Sequence, residues 1–184
     1  MKKTFSEMLV DEYKSRKVKE GEDLKITKFA EISECVERTV SPDKIYVIEK
    51  YCDGKSVVLE KRGNLVSILD EKGEDVSVYY DKIRTDFSNC SQGDLSVKGT
   101  IVKDCLYMSD VVVKGFVWKD RIAMLRKLKY TSNLKENPNL IVKMREDAIK
   151  AIEIMSNLKD SKGAIAKSYD GLSNSPLMVY EKGK

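Results

Sequence analysis

Between Lys44 and Tyr80 the chain repeats one pattern. Short runs rich in β-branched and aromatic residues ("KIYVIEK", "SVVLEK", "NLVSILD", "DVSVYY") are separated by tight turn sequences, "CDGK", "KRG" and "EKGE". Such runs fit a pleated, half-buried surface, and two- to four-residue links containing Gly and Asp join neighbouring strands into antiparallel hairpins. This cadence restricts the chain to folds with at least one antiparallel meander. It continues with strands predicted over Leu95–Val102 and Cys105–Val113, in "NLIVK", in "GAIAKS" and in "LMVYEK".

Helical periodicity interrupts the strands in four places. Residues 4–18 read as an amphipathic helix with Phe5, Met8, Leu9 and Tyr13 on one side, and a helix is predicted from Thr27 to Arg38 with Phe29, Ile32 and Val36 inward. A third covers Trp118–Lys129, with Ile122, Leu125 and Leu128 inward. The fourth is "REDAIKAIEIMSNLKD", whose stripe of Ala148, Ile149, Ile152 and Met155 marks a core-facing side. The fold class expected is α+β: twisted antiparallel sheets flanked by helices. Residues 1–22 read as an N-terminal helical extension, joined by the polar "KVKEGEDLK" to a domain over 23–184. That extension is expected to dock on a protein partner or a second copy.

Composition narrows the chemistry. The 184 residues contain no histidine, so Ser-His-Asp and Cys-His catalysis are excluded, and acid–base work near neutral pH falls to shifted Lys, Glu or Asp groups. Four separated cysteines (Cys35, Cys52, Cys90, Cys105) form no CxxC pair, which argues against a zinc site or a disulfide framework and for reduced, inert thiols. No apolar run approaches the length of a membrane span. "MKKTFSEMLVDEYKSRK" lacks the apolar segment of a signal peptide, so a cytoplasmic protein is expected. The net charge of +4 does not by itself specify a nucleic-acid partner. Local basic runs at Trp118–Tyr130 and "YEKGK" nominate Arg121, Arg126 and Lys127 of the first, and Lys182 and Lys184 of the second, as phosphate or nucleic-acid contacts.

From about Thr27 to Lys184 the order of elements resembles the ATP-grasp-like adenylation (nucleotidyltransferase) domain of ATP-dependent DNA ligases. In that family a strand ends in E-x-K-x-D-G-x-R, and its lysine attacks the α-phosphate of ATP. Laid over this pattern, Glu49, Asp53 and Gly54 match, but Tyr51 stands at the nucleophile and Ser56 at the arginine. "DEKGED" resembles the S-R-N-G turn with Glu71 for its arginine. "LSVKGTIV" resembles the D-G-E-L strand, keeping Gly99 but placing Thr100 at the glutamate. "CLYMSDVVVKG" keeps Asp110 and replaces the aromatic by Ser109. "SKGAIAKSYDG" keeps Gly163 and Lys167 of E-G-[IV]-[IV]-x-K, with Lys162 at the glutamate. "YEKGK" resembles W-x-K-x-K through Tyr180, Lys182 and Lys184, and the resemblance implies Lys167, Lys182 and Lys184 as a remnant phosphate or nucleic-acid patch. The resemblance ends there, before the OB-fold domain that follows in ligases, and the chain is read as lacking it.

The resemblance implies a catalytically inactive ligase-like module that needs no cofactor. Such a module would bind nucleic acid or act as a scaffold in DNA replication, repair or packaging, with a virus or phage among the settings the resemblance implies. Two alternatives stay open. One is an active nucleotidyltransferase using ATP and Mg²⁺, with Lys50 as nucleophile after a β-bulge at Cys52 undoes the one-residue offset. The other is a protein-interaction subunit without nucleic acid. Strand alternation otherwise sends Lys50 to the outer face of its strand.

Overall fold

A computed structural model describes residues 28–172 and 176–183. The expected N-terminal helix, its docking role, the boundary at residue 22 and Lys184 lie outside the described residues. The remainder is α+β, with four helices and two five-stranded sheets.

The first sheet has the order β1-β10-β9-β2-β8, built from β1 (Lys28–Phe29), β2 (Tyr46–Cys52), β8 (Asn139–Val142), β9 (Ser161–Ser168) and β10 (Met178–Glu181). The second has the order β4-β3-β5-β6-β7, built from β3 (Lys55–Arg62), β4 (Leu65–Leu69), β5 (Leu95–Val102), β6 (Cys105–Val111) and β7 (Leu134–Glu136). Of the hairpins expected from the sequence, β3–β4 across "KRG" and β5–β6 form, both in the second sheet. The expected β2–β3 hairpin is corrected: "CDGK" carries the chain from one sheet to the other, and β2 pairs antiparallel with β8 and β9. Two short edge pairs, β1 with β10 and β6 with β7, are parallel.

Two apolar cores form. One, holding Ile48, Ala164, Ala166 and Met178, gathers the buried faces of α1 (Ile32–Thr39) and α4 (Arg145–Asn157). In α4 the predicted stripe holds for Ala148, Ile152 and Met155, which are buried, while Ile149 is half-buried and Ala151 is buried in addition. The other core, around Leu59, Val97, Leu106 and Met108, buries Ile83 and Phe87 of α2 (Asp81–Ser88) and Trp118, Ile122 and Leu125 of α3 (Trp118–Leu125).

Two local expectations are corrected, and one helix had none. Phe29 belongs to strand β1, so the first described helix starts only at Ile32. "DVSVYY" is not a strand. The Asp75 carboxylate accepts hydrogen bonds from the Ser77 N–H and hydroxyl, and this local turn competes with ladder pairing. Ser77–Tyr79 therefore forms a 3₁₀ turn, with Val78 and Tyr79 exposed. Helix α2 follows directly, and the aromatic run before it masks its short i, i+4 pattern.

Candidate functional site

A cleft of about 470 Å³ opens between the two sheets. The first sheet contributes Glu49, Lys50, Tyr51, Ile165 and Lys167. The second contributes Ser56, Val58, Lys98, Gly99, Thr100 and Ser109, with Asp70 and Glu71 from the turn after β4. The ligase-like positions scattered along the sequence thus converge in space. Three carboxylates (Glu49, Asp70, Glu71) face three ammonium groups (Lys50, Lys98, Lys167), so the charged lining of the cleft is balanced.

Lys167 is buried, and its Nζ lies 2.8 Å from Glu49 Oε2, with side-chain exposures of 9% and 2%. Burial raises the Glu49 pKa, and the Lys167 charge and hydrogen bond oppose that rise. The Asp110 charge adds to it, while the Trp118 indole favours the ionised form. The retained cation of the cleft is therefore already neutralised by a protein carboxylate.

Asp110 is buried as well. Arg121 donates to both its oxygens, from Nε at 2.8 Å and from Nη2 at 3.2 Å. Arg121 Nη1 donates to the carbonyls of Phe116, Gly171 and Leu172. The sequence reading of Arg121 as a phosphate contact is corrected: its guanidinium is wholly buried and ties α3 to β6 and to the loop after β9. Arg126 is exposed but grips the Glu136 carboxylate bidentately, at 2.8–3.1 Å. Lys127 is exposed and lines a different cavity with Cys90, Gln92 and Met124. The basic helix presents no assembled patch at the cleft.

A β-bulge does occur where β2 meets β9, but the extra residue is not on β2. Tyr51 pairs with Gly163 and Cys52 with Ser161, so Lys162 is left over on β9. Lys50 keeps its regular partner Ala164 and is not moved into Tyr51's place. The expected solvent-facing Lys50 is also corrected. It is 3% exposed, and its ammonium lies 4.2 Å from the centroid of the Tyr107 ring. Tyr51 instead carries the Lys162 ammonium on its ring, again at 4.2 Å.

Two glycines hold the corner of this site by close approach. A Cβ on Gly54 would sit 2.2 Å from the Ile101 carbonyl oxygen, and one on Gly163 would sit 1.9 Å from that of Tyr180. Asp53 is exposed beside the first of these. Lys182, expected to join Lys167, lines a separate cavity with Lys28 and Lys162. Sequence reasoning missed Lys98, Tyr107 and Asn137. Lys98 was legible as the residue before Gly99, on the cleft-facing parity of β5. Tyr107 and Asn137 carried no motif signal. The buried Cys52 thiol donates to Asn137 Oδ1, and burial pushes its pKa up to about 11, in keeping with an inert cysteine.

No protein-family model and no curated protein matches this chain. Solved structures do. The chain is similar to mycobacterial DNA ligase D complexed with ATP, at 16% identity and TM-score 0.55, over 78% of this chain and 56% of that one. It is similar to an archaeal ATP-dependent RNA ligase, at 12% identity and TM-score 0.58, over 87% and 48%. A putative ATP-dependent DNA ligase from Aquifex aeolicus is also similar, at 16% identity and TM-score 0.61, over 85% and 48%. The chain spans about half the length of these structures. Its fold is that of the nucleotidyltransferase domain of ATP-dependent DNA and RNA ligases.

Two positions depart from the ligase motifs that the sequence resembles. Lys162, a cation, occupies the position of an acid, and Thr100 occupies another. Among the described residues, no three acidic or cysteine side chains are grouped to hold a metal ion. A polyphosphate entering the cleft would meet Asp70 and Glu71 without a net positive lining.

Proposed function

We propose that this protein is a ligase-fold module without adenylyl-transfer chemistry, serving to bind nucleic acid or to scaffold an assembly that handles it. By analogy with ligases, its setting is DNA replication, repair or packaging. One observation carries the reading: the side chains brought to the cleft are Tyr51, Ser56, Glu71, Thr100 and Ser109, and the retained Lys167 is consumed by Glu49. Fold does not carry function once the site's chemistry is replaced.

A second reading, adenylation of Lys50, draws on its burial in the wall of the same cleft. A desolvated lysine is the kind that becomes a nucleophile. Intact-mass measurement after incubation with ATP and Mg²⁺ separates the two. The protein mass is expected to stay unchanged, and an added adenylate that disappears in Lys50→Ala would establish the enzyme instead.

A further inference from the structure

We propose that the cavity beside Tyr51, lined by Lys28, Lys162 and Lys182, is an anion site that takes a phosphate group. It rests on the nucleic-acid reading above and places that contact outside the intersheet cleft. The cavity has a volume of about 650 Å³, and its other charged walls are Asp53 and Glu181.

Three features assemble it. The bulge leaves Lys162 unpaired with β2 and re-aims its side chain over Tyr51, whose ring face stabilises the ammonium. The close approach permitted by Gly163 brings the end of β10 against β9, and the Lys182 N–H donates to the Lys162 carbonyl at 3.0 Å. Lys28 enters from β1, with its Nζ 3.0 Å from Glu181 Oε2.

Electrostatics decides the ligand class. Lys28 is matched by Glu181, whereas Lys162 and Lys182 have no carboxylate partner within ion-pair distance among the described residues. Asp53, exposed, offsets part of their charge. Lys162 on β9 and Lys182 just past the end of β10 converge on one cavity whose three lysines exceed its two carboxylates by one charge, which favours an anion. Lysines recognise phosphate as point charges, without the bidentate geometry of arginine. The intersheet cleft has no comparable surplus. Phosphate could come from a nucleic-acid backbone or from a free polyphosphate, and the two are separable by experiment.

The test uses the full chain and two probes, a 20-base-pair duplex and sodium tripolyphosphate. Duplex affinity is followed by fluorescence anisotropy across salt concentrations, and tripolyphosphate by NMR shifts of the lysine side chains. For the duplex, Lys182→Ala is expected to weaken binding independently of sequence and lower the salt slope by about one, and Lys162→Ala/Lys182→Ala by about two. Lys127→Ala should leave the slope unchanged. Lys182 is exposed, so its replacement does not threaten folding. Shifts confined to Lys28, Lys162 and Lys182 with tripolyphosphate, without duplex binding, would support the site and name a free ligand. No binding of either probe, or slopes and shifts unaltered in the double variant, would overturn it. Duplex binding that survives the double variant unchanged would leave the nucleic-acid role standing and remove only this site. An adenylate adduct would remove the reading it rests on.

Discussion

Replacing Lys167 by alanine tests whether the floor of the cleft is a closed ion pair. Glu49 is 2% exposed and lies against Asp110, so losing its 2.8 Å partner leaves a carboxylate buried without compensation. Removing one member of such a pair costs roughly 3–5 kcal/mol. For a domain of this size each kcal/mol lowers Tm by about 2–4 °C, which gives a fall of roughly 6–20 °C at pH 7. The pH dependence has a definite sign. Burial already raises the Glu49 pKa above its unfolded value, so its contribution to stability is full below the ordinary carboxylate range and is lost as pH rises through the folded pKa. Without Lys167 that pKa climbs further, and the deficit of Lys167→Ala should shrink as pH falls and Glu49 takes up a proton. Lys167→Met/Glu49→Leu should recover most of the loss. Urea melts of wild type, Lys167→Met, Glu49→Leu and the Lys167→Met/Glu49→Leu double variant between pH 4.5 and 8 close the double-mutant cycle. A single variant within about 1 kcal/mol of wild type at pH 7, or a double variant no better than the single, would refute the closed pair.

Other consequences are equally direct. Gly163→Ala must push apart β9 and β10, because its Cβ would sit 1.9 Å from the Tyr180 oxygen; a loss of at least about 2 kcal/mol is expected in denaturant melts. Arg121→Lys keeps the charge but loses the fork that grips Asp110, so it should lower Tm without touching the salt slope of nucleic-acid binding. With its pKa pushed to about 11, Cys52 should present about one thiolate in a thousand at pH 8, and a thiol reagent should reach the half-exposed Cys105 first. Faster labelling of Cys52 would contradict its burial.

The sequence carried the strands of this fold better than its exceptions. Alternation and turn residues marked β2 to β6 because a two-residue period with Gly and Asp links has few other readings. Helix α2 escaped because Val76, Val78 and Tyr79 have strand propensity, and only the Asp75–Ser77 turn, a side-chain effect, breaks the ladder. At the site, motif order placed Glu49, Tyr51, Ser56, Thr100, Ser109 and Lys167 on one cleft. Partnering was not legible. That Lys167 is matched by Glu49, and Arg121 by Asp110, depends on contacts across 118 and 11 residues of chain, which local pattern does not encode. The alternative reading of Lys50 required a bulge at Cys52; a bulge does lie between Tyr51 and Cys52, but its extra residue, Lys162, belongs to β9.

All strands of the second sheet, residues 55 to 136, fall between β2 and β8 of the first. Among the described residues the chain crosses between sheets twice, at Asp53–Gly54 and at Asn137–Pro138. These crossings lie side by side: Asn137 Nδ2 donates to the Lys50 carbonyl at 2.9 Å, and the Lys50 N–H donates to the Pro138 carbonyl at 2.9 Å. Mechanically, two covalent links laced at one corner count as a single joint. An eight-residue strand reaches about 26 Å from it, so each degree of rotation there moves the far end by roughly 0.5 Å. Arg121 and the Trp118 N–H add a second, non-covalent tie, from α3 to the carbonyls of Gly171 and Leu172 after β9, so the cleft is braced there as well as at the corner of Gly54, Asn137 and Pro138.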